Sequence, residues 1–208
     1  NLMLSANETI TAIDEHNNCD EDISKSDSIM KALEEWTSEY NGDLGDFLRT
    51  GIDGLDNIIK GLKKGTMSVL GARPANGKTA LGLSIMNNMV NEGVVCGFIS
   101  VEMDATECYQ RLACIESEVS NEAPEKQDQQ GFLELAKALG NFQKKDNCII
   151  RHSTNRRISN IKRIVRSMKK ENKDLEVIFV DYLQKVESDQ RGLDPRNAVT
   201  EVSGIFTD

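Results

Sequence analysis

Four side chains in this sequence have the types and spacing needed for phosphate chemistry. Lys78 and Thr79 sit in the glycine-bearing string GARPANGKTA, Gly71 to Ala80, which follows a short apolar run and opens a helix-forming stretch. Residues Ala72 to Thr79 fit the spacing of a phosphate-binding loop, with Ala72 in place of the usual first glycine and Gly71 one step earlier. In such a loop the backbone N–H groups around Gly77, Lys78, Thr79 and Ala80 face the phosphates at a helix N-terminus. Lys78 supplies a point charge for the β- and γ-phosphates, and Thr79 offers a hydroxyl to Mg²⁺. Arg73, Pro74 and Asn76 complete the loop that wraps the nucleotide. A surface turn that happens to contain Gly-Lys-Thr is the bland alternative, and the flanking apolar run and helix argue against it.

Two carboxylates complete the set. The apolar run Leu175–Val180 ends in Asp181, where an aspartate holds the Mg²⁺ water shell beside the loop threonine. The run Val94–Val101 ends in Glu102, which can orient or polarise an attacking water or, equally on spacing alone, cap the helix beginning near Ala105. Open α/β sheets place their ligands at the carboxyl ends of strands, and both carboxylates fall there.

The elements that must position these groups alternate along the chain. Strands are expected at Met67–Leu70, Val94–Val101, Cys148–Arg151 and Leu175–Val180. Helices are expected at Thr79–Asn91, Ala105–Glu118, Gln129–Phe142 and Ser159–Glu171. Continuous apolar strands between helices mean an α/β fold with a buried, largely parallel sheet. Ahead of it, residues 1–23 read as an acidic disordered or linker segment. Residues 24–46 read as a helix capped at Ser24 or Ser26 and a hinge, with Ile29, Leu33 and Trp36 on one face. The ATPase core is expected over 47–208, and Asn197–Asp208 begins a further helix.

Charge follows the same division. The 208 residues carry a formal charge of −9, yet residues 1–46 hold 12 acids and 2 bases while the rest is close to neutral. Residues 144–170 reverse the sign, with ten Lys/Arg against Asp146. There Ile158, Ile161, Val165 and Met168 recur at helical spacing, so the bases fall on the outer face, read as solvated or subunit-facing rather than as a DNA contact. Five cysteines form no C-x-x-C pair and suit buried filler in a reducing, cytoplasmic setting. No apolar run reaches the length of a membrane span.

Beyond these local readings, TGIDGLDNIIKGLKKGTMSVLGARPANGKTA, FISVEMDA and VIFVDYLQ together resemble the DnaB-type replicative helicase core, in family order, over roughly residues 24–208. The resemblance implies a RecA-like motor, ATP and Mg²⁺ as ligands, and a homo-hexameric ring that translocates on single-stranded DNA at the replication fork. Primase and a helicase loader are the family's further partners. It implies that Glu102 activates water and that the helix at 24–40 docks on a neighbouring subunit, where a helix packing on its own domain has the same pattern. It implies too that Arg191 and Arg196 are candidate DNA contacts in a channel-side loop, where a solvated loop is the alternative. The family's arginine finger and sensor residues would follow Asp208. Two other readings remain: a RadA- or KaiC-like ATPase of recombination or regulation, which shares TGI-x-x-LD before its loop, and a nucleotide-dependent assembly module with little turnover.

Overall fold

The computed structural model describes residues 20–40, 45–73 and 75–181. The chain divides into two units, residues 1–47 and 48–208. In the first, α1 spans Asp20–Tyr40. It begins four residues before the expected Ser24 start. Ile29 and Trp36 are exposed on α1, at 47% and 70%, and Thr37 donates its hydroxyl back to the Leu33 carbonyl.

The second unit is built on a parallel three-stranded sheet. Its strands are β3 (Val95–Ser100), β4 (Cys148–His152) and β5 (Leu175–Asp181), in the order β4-β3-β5. Parallel neighbours need crossover connections, and helices supply them. These are α3 (Lys78–Asn91), α4 (Ala105–Ser117), α5 (Gln129–Gln143) and α6 (Ile158–Glu171). Successive strand residues face opposite sides of the sheet, so both faces of β3 are apolar and both are covered. On one face Phe98 packs with Leu83, Met86, Met89, Leu112 and Phe142. On the other Ile99 packs with Ile158, Ile161, Met168 and Leu175. The outcome is the expected α/β arrangement of a sheet flanked by helices, with strand and helix bounds within one residue of those read from the pattern.

One expected strand is not formed. Met67–Leu70 has no strand assignment, and Val69 and Leu70 are 69% and 44% exposed. An extended segment becomes a strand only when its N–H and C=O groups find a ladder partner. Among the described residues the sheet ends at β5, so apolar, β-prone residues alone did not suffice. Just ahead of this stretch an ion pair reaches β5: Lys64 Nζ lies 2.7 Å from Glu176 Oε2.

Ahead of that stretch is a polar latch that periodicity did not reveal. A ribbon pairs β1 (Phe47–Leu48) with β2 (Leu62–Lys63), and between them runs α2 (Asp53–Ile59). The Asp56 carboxylate accepts from the Thr50 amide (2.9 Å), the Thr50 hydroxyl (2.7 Å) and the Gly51 amide (3.0 Å). Asn88, on α3, donates to the Thr50 and Gly51 carbonyls at 3.1 and 3.2 Å. Gly51 has φ +71°, and a Cβ there would lie 2.5 Å from the Asn88 Cβ, so position 51 must be glycine on two counts. Partial burial raises the Asp56 pKa, but the three bonds from Thr50 and Gly51 outweigh it and hold the group below the ordinary value of 3.8.

Asp56→Ala strands the buried Thr50 donors and is expected to cost about 1–3 kcal/mol in urea unfolding at pH 7. A lowered folded pKa stabilises above the unfolded value and is lost as pH falls through the folded one. The gap between parent and variant should therefore narrow below about pH 4. A gap that is absent at pH 7, or that widens in acid, would remove the latch from the stability account.

Candidate nucleotide site

The three strand ends are held level. In the ladder Ser100 is the partner of both His152 and Asp181. Beyond the ladder, the Val101 amide donates to the Asp181 carbonyl at 2.9 Å and the Ser153 amide to the Ser100 carbonyl at 2.8 Å. The carboxyl rim of the sheet is thus a row of polar residues in fixed register.

The loop of residues 71–77 meets that rim through α3. Asn76 N–H donates to the Arg73 carbonyl at 3.2 Å, closing a turn, and Leu81 N–H donates to the Gly77 carbonyl at 2.8 Å, starting the helix. Gly77 occupies the N-cap with φ +76°, and Ala75 lies at φ +64°. A non-glycine residue in the left-handed region is uncommon, and such strain gathers at ligand-binding loops. Arg73, Ala75, Asn76, Gly77 and Ala80 are exposed, and a Cβ at Gly77 would meet nothing within 4 Å. Pro74 lies outside the described residues.

Lys78 and Thr79 converge on Asp181. Thr79 Oγ1 donates to Asp181 Oδ2 at 2.6 Å, and Lys78 Nζ lies 3.3 Å from Oδ1 of the same carboxylate. Asp181 is 7% exposed, so its charge is partnered rather than solvated. A hydroxyl and a carboxylate side by side, with a lysine and a helix N-terminus adjacent, form an oxygen-donor set that suits Mg²⁺ carried on a nucleotide's phosphates. Among the described residues no group of three or more His, Cys, Asp or Glu could hold a metal by itself.

Glu102 lies just past the rim and is exposed. The cap of α4 is Asp104, whose Oδ1 accepts from the Glu107 amide at 2.8 Å, so the capping alternative for Glu102 is filled by another residue. Ser100 escaped the sequence reading. It is fully buried, and its Oγ accepts from the Met103 amide at 2.9 Å and the Glu102 amide at 3.4 Å, which fixes the turn carrying Glu102. A polar residue closing an otherwise apolar strand was the available signal. Arg191 and Arg196 lie outside the described residues.

With that geometry in hand, comparison with known proteins decides the family. The family model described as DnaB-like helicase C terminal domain matches residues 47–207. The chain belongs to this family. Among its relatives, a probable plasmid replicative DNA helicase of Chlamydia psittaci is 29% identical over 171 residues, 81% of this chain and 37% of that protein. The replicative DNA helicase DnaB of Geobacillus stearothermophilus is 30% identical over 160 residues, 74% of this chain and 34% of the relative. This DnaB-like chain therefore spans about a third of the length of such relatives.

Solved structures agree on the fold. One, described as an ATPase domain, superposes with a TM-score of 0.70 at 24% identity, covering 85% of this chain and 64% of that one. A DnaB-like replicative helicase, solved in a study of its interactions with primase, superposes with a TM-score of 0.72 at 21% identity, covering 99% of this chain and 54% of that one. The fold is that of a RecA-like helicase ATPase domain. No helix among the described residues is long and apolar enough to cross a membrane.

The thiols stand apart from this chemistry. Burial pushes Cys96 up to about 12, and Cys108 and Cys148 up to about 11 each. At pH 8 these three are expected to react with an aromatic disulfide reagent orders of magnitude more slowly in folded protein than after denaturation. Rapid labelling of Cys96 in the folded chain would contradict the packing described.

Proposed function

We propose that this domain is the ATP-hydrolysing motor of a DnaB-type replicative helicase. In a homo-hexameric ring it would couple hydrolysis to translocation on single-stranded DNA and to duplex unwinding at a replication fork. The observation that carries the reading is the convergence of Lys78 and Thr79 on the buried Asp181. It joins a phosphate-binding loop to a strand-end carboxylate in a chain of this family. A primase and a helicase loader are proposed as partners. The primase is supported by the structural neighbour solved with primase interactions in view.

The proposed roles follow from charge and position. Lys78 turns its ammonium from Asp181 toward the β- and γ-phosphates, which are the stronger acceptors. Main-chain N–H groups at Gly77, Lys78, Thr79 and Ala80 hold the phosphate oxygens, with Arg73, Pro74 and Asn76 enclosing them. Thr79 Oγ1 and Asp181 stand where Mg²⁺ would be held, and bound Mg²⁺ would neutralise charge building on the phosphate oxygens. Glu102, steadied by Ser100, takes the proton of the attacking water or orients it. Arg191 and Arg196 are proposed as channel-side DNA contacts.

Two substitutions test the division of labour. Lys78→Ala removes a charge-assisted phosphate contact worth about 1.5–3 kcal/mol, so nucleotide affinity is expected to fall roughly tenfold or more. Glu102→Gln, in full-length ring-forming protein, should keep nucleotide affinity while hydrolysis falls by about 10²–10⁴. Unchanged binding in the first variant, measured by fluorescent-nucleotide titration, would sink the loop assignment. Normal turnover in the second would remove Glu102 from the chemistry.

A further inference from the structure

The phosphate-binding loop contains a peptide step that is chemically less durable than its neighbours. Asn76 is followed by Gly77. The sequence's other Asn-Gly step, Asn41-Gly42, lies outside the described residues. In such a step the backbone nitrogen that follows can attack the asparagine side chain, because glycine has no Cβ to shield its amide. Asparagines elsewhere in the domain are placed differently. Asn88, Asn91, Asn147 and Asn160 spend their side-chain amides in hydrogen bonds, and each is followed by a residue with a side chain.

Both reacting groups at position 76 are open. Asn76 and Gly77 are exposed, and among the described residues neither the Asn76 side chain nor the Gly77 N–H has a hydrogen-bond partner. The Asn76 N–H is engaged, donating to the Arg73 carbonyl at 3.2 Å, so the turn holds the residue and leaves its side chain free. A Cβ added at Gly77, where φ is +76°, would meet nothing within 4 Å, so no neighbouring atom obstructs the attack. Electrostatics act in the same direction. Gly77 is the N-cap of α3, at the positive end of that helix. A positive field favours loss of the Gly77 amide proton and stabilises the oxyanion formed on Asn76 as a ring closes. The features that suit the loop to phosphate also favour this reaction.

We propose that Asn76 is a site of spontaneous deamidation, that its conversion switches the loop off, and that bound nucleotide protects it. The Gly77 nitrogen gives up its proton and forms a bond to Asn76 Cγ. The Cγ–Nδ2 bond then breaks, and the departing amide nitrogen takes up that proton and leaves as ammonia. Water opens the resulting cyclic imide at one carbonyl or the other, which leaves aspartate or isoaspartate at position 76. Water is consumed, ammonia is released, and nothing is oxidised or reduced. Either product sets a carboxylate in a loop whose free N–H groups face an anion, and like charges there repel the phosphates. Protection has the same origin: a phosphate oxygen that accepts from the Gly77 N–H takes away the nucleophile. The consequence for nucleotide rests on the phosphate-loop reading above, whereas the reaction at Asn76 does not.

The test incubates the full chain at pH 8 with and without saturating ADP–Mg²⁺, then applies a brief, mildly acidic tryptic digestion and mass spectrometry. Cleavage after Lys64 and Lys78 releases Gly65–Lys78, in which Asn76 is the sole amide side chain and Pro74 keeps Arg73 uncut. Cleavage after Lys31 and Arg49 releases Ala32–Arg49, in which Asn41 is the sole amide side chain and serves as an internal clock. Fluorescent-nucleotide titration of the same samples, with circular dichroism as a control on folding, gives the binding capacity. The Asn76 peptide is expected to exchange its amide for a carboxyl, and capacity to fall in step with the converted fraction. Nucleotide should slow that conversion several-fold and leave Asn41 unaffected. Asn76→Asp should bind nucleotide at least about tenfold more weakly from the outset. Asn76→Gln, whose longer side chain closes a larger ring slowly, should hold its own starting capacity throughout. An Asn76 amide still intact once Asn41 has converted would overturn the proposal. So would a converted chain of undiminished capacity, or equal conversion with and without nucleotide. A fresh chain that binds no nucleotide would instead remove the phosphate-loop reading, and with it the switch, while the peptide mass would still report the reaction at Asn76.

Discussion

One buried carboxylate sets the geometry on which the rest depends. Asp181 ends the strand β5, accepts from Thr79 and pairs with Lys78, and so ties the first turn of α3 to the rim of the sheet. The apolar stretch Met67–Leu70 has no ladder of its own, so hydrogen-bond pairing does not hold the loop in place. Polar anchors take that part: Asp181 at the loop end and the Lys64–Glu176 pair further back. The face of α3 bearing Leu83, Met86 and Met89 adds an apolar anchor. An ionised group so enclosed is strongly destabilising if one partner is removed and nothing replaces it. The clamp is thus a structural tie between α3 and the sheet.

The latch at Thr50, Asp56 and Asn88 does comparable work at the far end of α3. Helix α3 is fastened near its start by a carboxylate from the sheet and near its end by an amide reaching the Thr50–Gly51 backbone. Between those points its apolar side chains fill the core. A helix fixed at both ends holds its N-terminal amides in one direction, which is the requirement for binding phosphate without reorganisation.

Much of this was legible from residue types and spacing. The helices and the sheet strands β3, β4 and β5 follow from apolar periodicity. The α6 face bearing Ile158, Ile161 and Met168 buries as the spacing required, and the chemistry-bearing Lys78, Thr79 and Asp181 meet as strand-end logic suggests. What the sequence hid has physical causes. Met67–Leu70 looks like a strand because propensity reports side chains, while pairing needs a second backbone. Ser100 and Asp56 act through hydrogen bonds to backbone amides, which leave no periodic trace. Glu102 had two readings on spacing, and the structure gives the cap of α4 to Asp104.

Thr79 and Asp181 are expected to act as one unit toward nucleotide. A double-mutant cycle on nucleotide affinity tests it, using Thr79→Val, Asp181→Asn and the pair, each measured with Mg²⁺ and with chelator. Independent sites add within about 0.3–0.5 kcal/mol, whereas residues sharing one partner couple by about 0.5–3 kcal/mol. The expected result is clear coupling when Mg²⁺ is present and near-additivity when it is chelated. Additive losses under both conditions would contradict a shared metal–phosphate position at the end of β5.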